Sequence, residues 1–254
     1  MLVIANGAPK SGSTWLYNIL EALHDFEPIP AEFKLDPDNV NPEIQYDRLE
    51  DFLKTLDYAE KDYVIKNHFG KPEHRDLILK FDNVYVLDID RSVRDVVVSG
   101  YYYKMGKLTP EQRENFEYYY WREGRYLADL VRSYHQVWKA APSDRALTVS
   151  YENLKTSFDI EAQKIGQFLG LELSPEKIRE AEEKTSMTKL RKKYKDDGDI
   201  KFFRKGEIGD WKSHIKGSAL KDITKIELNG VDDLGLSFQL IAKIKKHLVR
   251  KGLN

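Results

Sequence analysis

Apolar positions along this chain fall into two rhythms. Leu2-Val3-Ile4-Ala5 is an unbroken apolar run that stops at Asn6-Gly7 and Pro9, the pattern of a buried strand reaching a turn. Leu16, Ile19, Leu20 and Leu23 then recur at helical spacing, directly after a Ser13-Thr14 hydroxyl pair suited to capping. Strand, glycine loop and helix therefore follow one another without a gap. Tyr63-Val64-Ile65 and Val84-Tyr85-Val86-Leu87 are apolar at successive positions, as strands covered by helices on both faces must be. Arg145-Ala146-Leu147-Thr148-Val149 makes a fourth strand. Between the third and fourth, the spacing predicts one long helical stretch from Pro110 to about Ala140, whose aromatics (Phe116, Tyr118, Tyr119, Tyr120, Trp121, Tyr126, Tyr134, Trp138) form a core stripe. A helix from Ile160 to Leu169 ends at Gly170, and Ser174-Pro175 opens another with proline in its first turn. Lys192 to Gly209 mixes charges, glycines and Phe202-Phe203 without a period, which predicts an ordered or closing loop. A last amphipathic helix, about Ser237 to Arg250, carries a solvated lysine-rich face.

Strands alternating with helices, with the first glycine loop after the first strand, predict an α/β fold with a doubly wound, mostly parallel sheet flanked by helices. Ligands of such sheets bind at the carboxyl ends of the strands, so the loops after Ala5, Ile65 and Asp90 should surround one crevice. No composition shift or low-complexity linker interrupts residues 1–254, and a single domain is expected. A chain of 254 residues with 41% hydrophobic and 33% charged residues can bury a core and is not of the disordered class.

The net charge of −1 removes bulk attraction to nucleic acid or to an anionic membrane, so any anion site must be local. With no cysteine there is no disulfide, no thiolate nucleophile and no cysteine-ligated metal. The six histidines include no pair at helical spacing, which argues against a preformed metal site. Neither a secretory leader pattern nor a membrane-length apolar run is visible, and the expectation is a cytoplasmic protein without a membrane partner.

The chemistry concentrates in Gly7-Ala8-Pro9-Lys10-Ser11-Gly12-Ser13-Thr14. Gly7, Gly12 and Thr14 fit the loop that cradles nucleoside triphosphates, but Ser13 stands at the lysine position and the one lysine lies inside the loop, at Lys10. Anion cradling survives: backbone N–H groups at a helix N-terminus, the hydroxyls of Ser11, Ser13 and Thr14, and one ammonium. The lysine that bridges terminal phosphates and a magnesium-holding acidic pair do not.

Pro9-Lys10-Ser11-Gly12-Ser13-Thr14-Trp15 resembles the 5′-phosphosulfate loop of the cytosolic-type sulfotransferases, which use 3′-phosphoadenosine 5′-phosphosulfate (PAPS). Four more segments agree in order: Lys66-Asn67-His68 after the second strand, Arg91 to Ser99 with its arginine and serine eight apart, Tyr151-Glu152-Asn153-Leu154, and Arg204-Lys205-Gly206-Glu207-Ile208-Gly209-Asp210-Trp211-Lys212. The resemblance implies a single-domain sulfotransferase fold and transfer of a sulfuryl group to the hydroxyl of a small-molecule acceptor. It implies His68 as general base, with Lys10, Lys66 and Ser99 completing the catalytic set. Arg91 and Ser99 would hold the 3′-phosphate, with Arg204, Lys205 and Gly206 closing over it, while Trp15, Tyr151, Thr185 and Met187 would surround the adenine.

The chain departs from the family pattern at three points. Met187 stands where an aromatic usually completes the adenine sandwich, Phe69-Gly70 follows His68 in place of leucine and proline, and no copy of the family's dimerisation motif follows Trp211. Oligomeric state therefore stays open. Tyr101, Tyr102, Tyr103 and Met105 suit either an apolar acceptor pocket or the core, and phenols, alcohols, carbohydrates, lipids and acyl chains all remain as acceptors. Two other functions fit a deviant phosphate loop: a small-molecule or nucleotide kinase, and a nucleotide-binding module that does no chemistry.

Overall fold

A computed structural model describes residues 1–36, 41–142, 144–194 and 203–229. Its sheet has four strands, β1 (Leu2–Asn6), β2 (Tyr63–Lys66), β3 (Val84–Asp90) and β4 (Ala146–Ser150), in the order β2-β1-β3-β4. Every pairing is parallel: Leu2 faces Tyr63 on one side and Val84 on the other, and Val86 faces Ala146. The chain runs outward from β1 to β2, then crosses back past β1 to β3. That reversal opens a crevice beyond the carboxyl ends of β1 and β3, where α/β sheets bind their ligands.

The apolar runs of the strands are explained by helices on both faces. Val3 and Ala5 pack with Leu16 and Leu20 of α1 (Ser13–Leu23) on one face. Leu2, Ile4 and Ile65 pack on the other with Leu49, Phe52 and Leu53 of α2 (Tyr46–Thr55) and with Ile78 of α3 (Pro72–Ile78). Beyond the sheet, Val96 and Val97 of α4 (Val93–Lys104) meet Ala128 and Val131 of α7 (Arg125–Lys139) and Ile223 and Ile226 of α12 (Gly217–Asn229).

The long helix expected over 110–140 is broken. It forms α5 (Pro110–Glu114), α6 (Phe116–Tyr119), a π turn over Tyr120–Gly124, and then α7. The Thr109–Gln112 capping box opens α5 where the long helix was expected to start, and the break after it comes at Asn115, whose side chain accepts from the Tyr118 N–H and starts α6 anew. The restart at Asn115 and the π turn shift the helical phase, so the aromatics do not share one stripe. Tyr119, Tyr120, Tyr134 and Trp138 are buried, whereas Tyr118, Trp121 and Tyr126 are exposed.

The helix expected from Ile160 begins earlier, as α9 (Phe158–Leu169), preceded by α8 (Tyr151–Thr156). Ser174 caps α10 (Pro175–Lys184) by accepting from the Lys177 N–H, and α11 (Met187–Lys193) follows. The helix expected at Ser237–Arg250 lies outside the described residues, as does the middle of the Lys192–Gly209 loop. No described helix is long and apolar enough to cross a membrane.

Candidate functional site

The phosphate loop joins β1 to α1 and is packed from below by the sheet. A Cβ on Gly7 would lie 2.6 Å from the Ile89 side chain, and Gly12, at φ 111°, would place one 2.9 Å from the Tyr151 ring. Only glycine fits at either position. Lys10 itself turns the loop at φ 71°. The expected Ser13-Thr14 cap is not formed: Gly12 is the N-cap, without a side-chain hydrogen bond, and the first turn of α1 holds no acidic residue. Its first N–H groups and partial positive charge are thus left available to an anion. Ser13 and Thr14 are buried beside them, and the buried Ser11 Oγ has no hydrogen-bond partner among the described residues. The Lys10 ammonium sits 4.0 Å above the centre of the Tyr103 ring.

His68 is tied to this loop. Its Nδ1 donates to the Gly7 carbonyl at 2.6 Å, a partner that can only accept, so the neutral ring presents Nε2 as the basic nitrogen. Nε2 faces the Lys66 ammonium at 2.9 Å. Burial first, and the Lys66 charge second, pull the His68 pKa down to about 4, leaving the ring neutral at ordinary pH. The loop is fixed from three sides: Tyr134 OH donates to the His68 carbonyl at 2.6 Å, Asn6 Oδ1 accepts the Phe69 N–H at 2.7 Å, and Trp138 Nε1 donates to the Phe69 carbonyl at 2.6 Å. A Cβ at Gly70 would fall 2.0 Å from the Tyr134 ring, so the packing of that ring requires glycine at this position. Buried Lys66 is also paired with Glu43, a residue without any sequence signal.

On the other side of the loop, Arg91 leaves the end of β3 and is buried. Its guanidinium donates to the Lys10 carbonyl at 3.3 Å and the Glu207 carbonyl at 3.5 Å, and lies 4.1 Å above the Tyr151 ring. Its buried Nε has no hydrogen-bond partner among the described residues. Buried Asp95 accepts the N–H groups of Gly209 at 2.8 Å and Trp211 at 3.1 Å, fastening residues 203–211 to the first turn of α4. Ser99, half-buried, lies one turn beyond Asp95 on the same face of that helix.

Gly206, at φ 64°, accepts from Tyr151 OH at 3.1 Å, and a Cβ there would lie 2.4 Å from the Met187 methyl. Trp15 meets the Tyr151 ring edge-on at 5.2 Å. Trp15, Tyr151, Gly206 and Met187 thus form one cluster beside the phosphate loop, and Met187 makes contact there that a thioether can adapt to. Thr185, buried at the end of α10, donates to the Ala181 carbonyl at 2.7 Å. Arg204 and Lys205 are turned elsewhere: both pair with Asp210, Lys205 at 3.3 Å, and Arg204 lies 4.0 Å over the Tyr102 ring. Tyr101 is core, Tyr102 lies under Arg204, and Tyr103 lies under Lys10.

The arrangement offers an uncapped helix N-terminus and, around one crevice, a buried serine hydroxyl and a buried arginine N–H that have no partner among the described residues, with a neutral imidazole at its edge. Those donors suit two separate anionic groups, and the imidazole suits removal of a proton nearby.

A family model described as the sulfotransferase domain matches residues 2–234. Sulfotransferase 1A1 of Mus musculus is 26% identical over 238 residues, covering 83% of this chain and 78% of its own. Sulfotransferase 2A1 of Homo sapiens is 26% identical, covering 89% and 82%. Among solved structures, mouse sulfotransferase SULT7A1 complexed with PAP superposes with a TM-score of 0.66 at 18% identity, over 97% of this chain and 88% of that one. A retinol dehydratase in complex with androsterone and the inactive cofactor PAP gives 0.65 at 18% identity, over 91% and 81%.

Proposed function

The chain belongs to the sulfotransferase domain family, and from that premise we propose that it moves the sulfuryl group of PAPS onto the hydroxyl of a small molecule, with His68 as general base, within a single domain spanning residues 1–254. The observation that carries the reading is the 2.6 Å bond between His68 Nδ1 and the Gly7 carbonyl, which locks a basic Nε2 to the rim of the phosphate loop. The residues present fit the donor: Ser11 Oγ and Arg91 Nε are buried polar atoms with no hydrogen-bond partner among the described residues, and the N-terminus of α1 is uncapped.

PAPS supplies a sulfuryl group whose leaving group is a phosphate. The chain's own contribution is placement and charge. The N–H groups of the loop with Ser11, Ser13 and Thr14 hold the 5′ end, and Lys10 neutralises charge where the bond breaks. Arg91 and Ser99 take the 3′-phosphate, and Trp15, Tyr151, Thr185 and Met187 flank the base. Arg204, Lys205 and Gly206 close that side, which requires the two cations to trade part of their pairing with Asp210 for the phosphate. His68 Nε2 removes the acceptor's proton as its oxygen attacks, and Lys66 shares the sulfuryl charge. Tyr103 beside Lys10 gives the acceptor an aromatic wall, and a fold neighbour crystallised with androsterone and PAP supports a small apolar acceptor.

Calorimetric titration with PAP, ADP and ATP with magnesium tests the donor class. PAP is expected to bind at least about tenfold more tightly than ADP, because only PAP carries the 3′-phosphate and one charge-assisted contact is worth roughly 1.5–3 kcal/mol. Tightest binding of ATP with magnesium would replace this reading by phosphoryl transfer. In the same assay Arg91→Ala is expected to weaken PAP by about 10- to 150-fold. Unchanged affinity would remove Arg91 from the donor site.

A further inference from the structure

Glu43 lies at the rim of the site outside all five motif segments, and hydrogen bonds on both sides of it fix its place. Residues 42 and 44 are bonded to residues 66 and 67 at the end of β2: the Lys66 N–H donates to the Pro42 carbonyl at 3.1 Å, the Ile44 N–H donates to Asn67 Oδ1 at 3.1 Å, and Asn67 Nδ2 donates to the Ile44 carbonyl at 2.9 Å. On the far side the Leu35 N–H donates to the Glu43 carbonyl at 2.6 Å. The segment is thereby strapped across the strand that carries Lys66, with Glu43 at its centre and its carboxylate on the Lys66 ammonium.

Lys66 has two acceptors in this arrangement, Glu43 and His68 Nε2. Proton removal needs Nε2 for the acceptor hydroxyl, so the ammonium must give that nitrogen up. An ammonium this deeply buried does not surrender a partner unless another remains, since an unpaired buried charge is costly. A charged carboxylate offers that alternative; water does not reach it as readily.

We propose that Glu43 is a positioning residue, which holds Lys66 by an ion pair so that His68 Nε2 is released to the acceptor while the ammonium stays beside the transferring group. The proposal rests on the sulfuryl-transfer reading for its kinetic consequence, but the hydrogen-bond arrangement it describes belongs to the free protein.

The test is a double-mutant cycle of Glu43→Gln and Lys66→Met, read first by imidazole ¹⁵N spectra of the free protein at pH 7. Glu43→Gln is expected to move the His68 Nε2 signal upfield, because Lys66 then gives its hydrogen bond to the ring more fully. Lys66→Met should move it downfield, and adding Glu43→Gln to Lys66→Met should not move it further. The double variant also removes the unpaired buried charge, so it keeps the cycle readable should Glu43→Gln alone fold poorly. With PAPS and 2-naphthol, Glu43→Gln is expected to lower kcat about 10- to 100-fold with KM for PAPS within about twofold, and Glu43→Asp to recover part of the loss. An Nε2 signal that ignores Glu43→Gln, an equal shift in the Lys66→Met background, or a kcat that stays unchanged overturns the proposal. A wild-type protein that binds no PAP instead sinks the donor reading, and the spectra still decide the role of Glu43 on Lys66.

Discussion

A His68→Ala protein is expected to lose about 10²–10⁴-fold in kcat while its affinity for PAP stays within about twofold of wild type. The split follows from the geometry. Nδ1 is spent on the Gly7 carbonyl, and Nε2 is the one ring atom able to take a proton, so the ring's contribution lies in the reaction and not in holding the donor. The pH profile provides an independent check. An unperturbed histidine titrates near about 6.5, but burial and the Lys66 charge bring His68 to about 4. The base is competent when neutral, so kcat/KM for the wild type should persist through pH 6 and fall only as the pH drops through about 4. Circular dichroism over the same range separates that limb from acid unfolding. An acid limb centred near 6.5, or full turnover by His68→Ala, removes His68 as the base.

The sequence made some of this structure easy to see and some of it invisible. The four strands were legible because a parallel sheet covered on both faces demands apolar residues at successive positions, and Leu2 to Ala5 and Val84 to Leu87 supply them. The phosphate loop was legible because glycine spacing, a preceding strand and a following helix all agree, and packing of Gly7 and Gly12 against Ile89 and Tyr151 shows why. The break of the 110–140 helix is hidden in the sequence because a summed apolar period outweighs one short cap; Asn115 restarts the helix, a π turn follows, and exposure of Trp121 and Tyr126 follows from the changed phase. The Ser13-Thr14 cap was misassigned for a related reason: hydroxyls at a helix start ordinarily cap it, but Gly12 takes that position and leaves the N–H groups uncovered. Glu43 had no local signal at all. Its place depends on Asn67 and Lys66 gripping a segment more than 20 residues away in sequence, a pairing that only the folded sheet creates. The same holds for Asp210, whose pairing with Arg204 and Lys205 turns two expected phosphate ligands into a latch that is closed on itself.

Lys10→Met is expected to cost about 10²–10³-fold in kcat, the usual range for removing one donor aimed at developing charge. Three features make this substitution informative. Its backbone sits at φ 71°, and methionine bears the same strain there as lysine, so the loop should keep its shape. The Lys10 contact to Arg91 runs through the backbone carbonyl, which the substitution leaves in place, so the proposed 3′-phosphate side is undisturbed. What disappears is the ammonium, now resting 4.0 Å over the Tyr103 ring, a distance at which cation–π attraction is worth only about 0.5–2 kcal/mol. PAP has no sulfuryl group to stabilise, so its affinity should fall far less than kcat does. Single-turnover transfer from PAPS, measured beside PAP titration, decides the matter. Equal losses in both would make Lys10 a donor-binding cation alone, and normal transfer would take it out of the reaction.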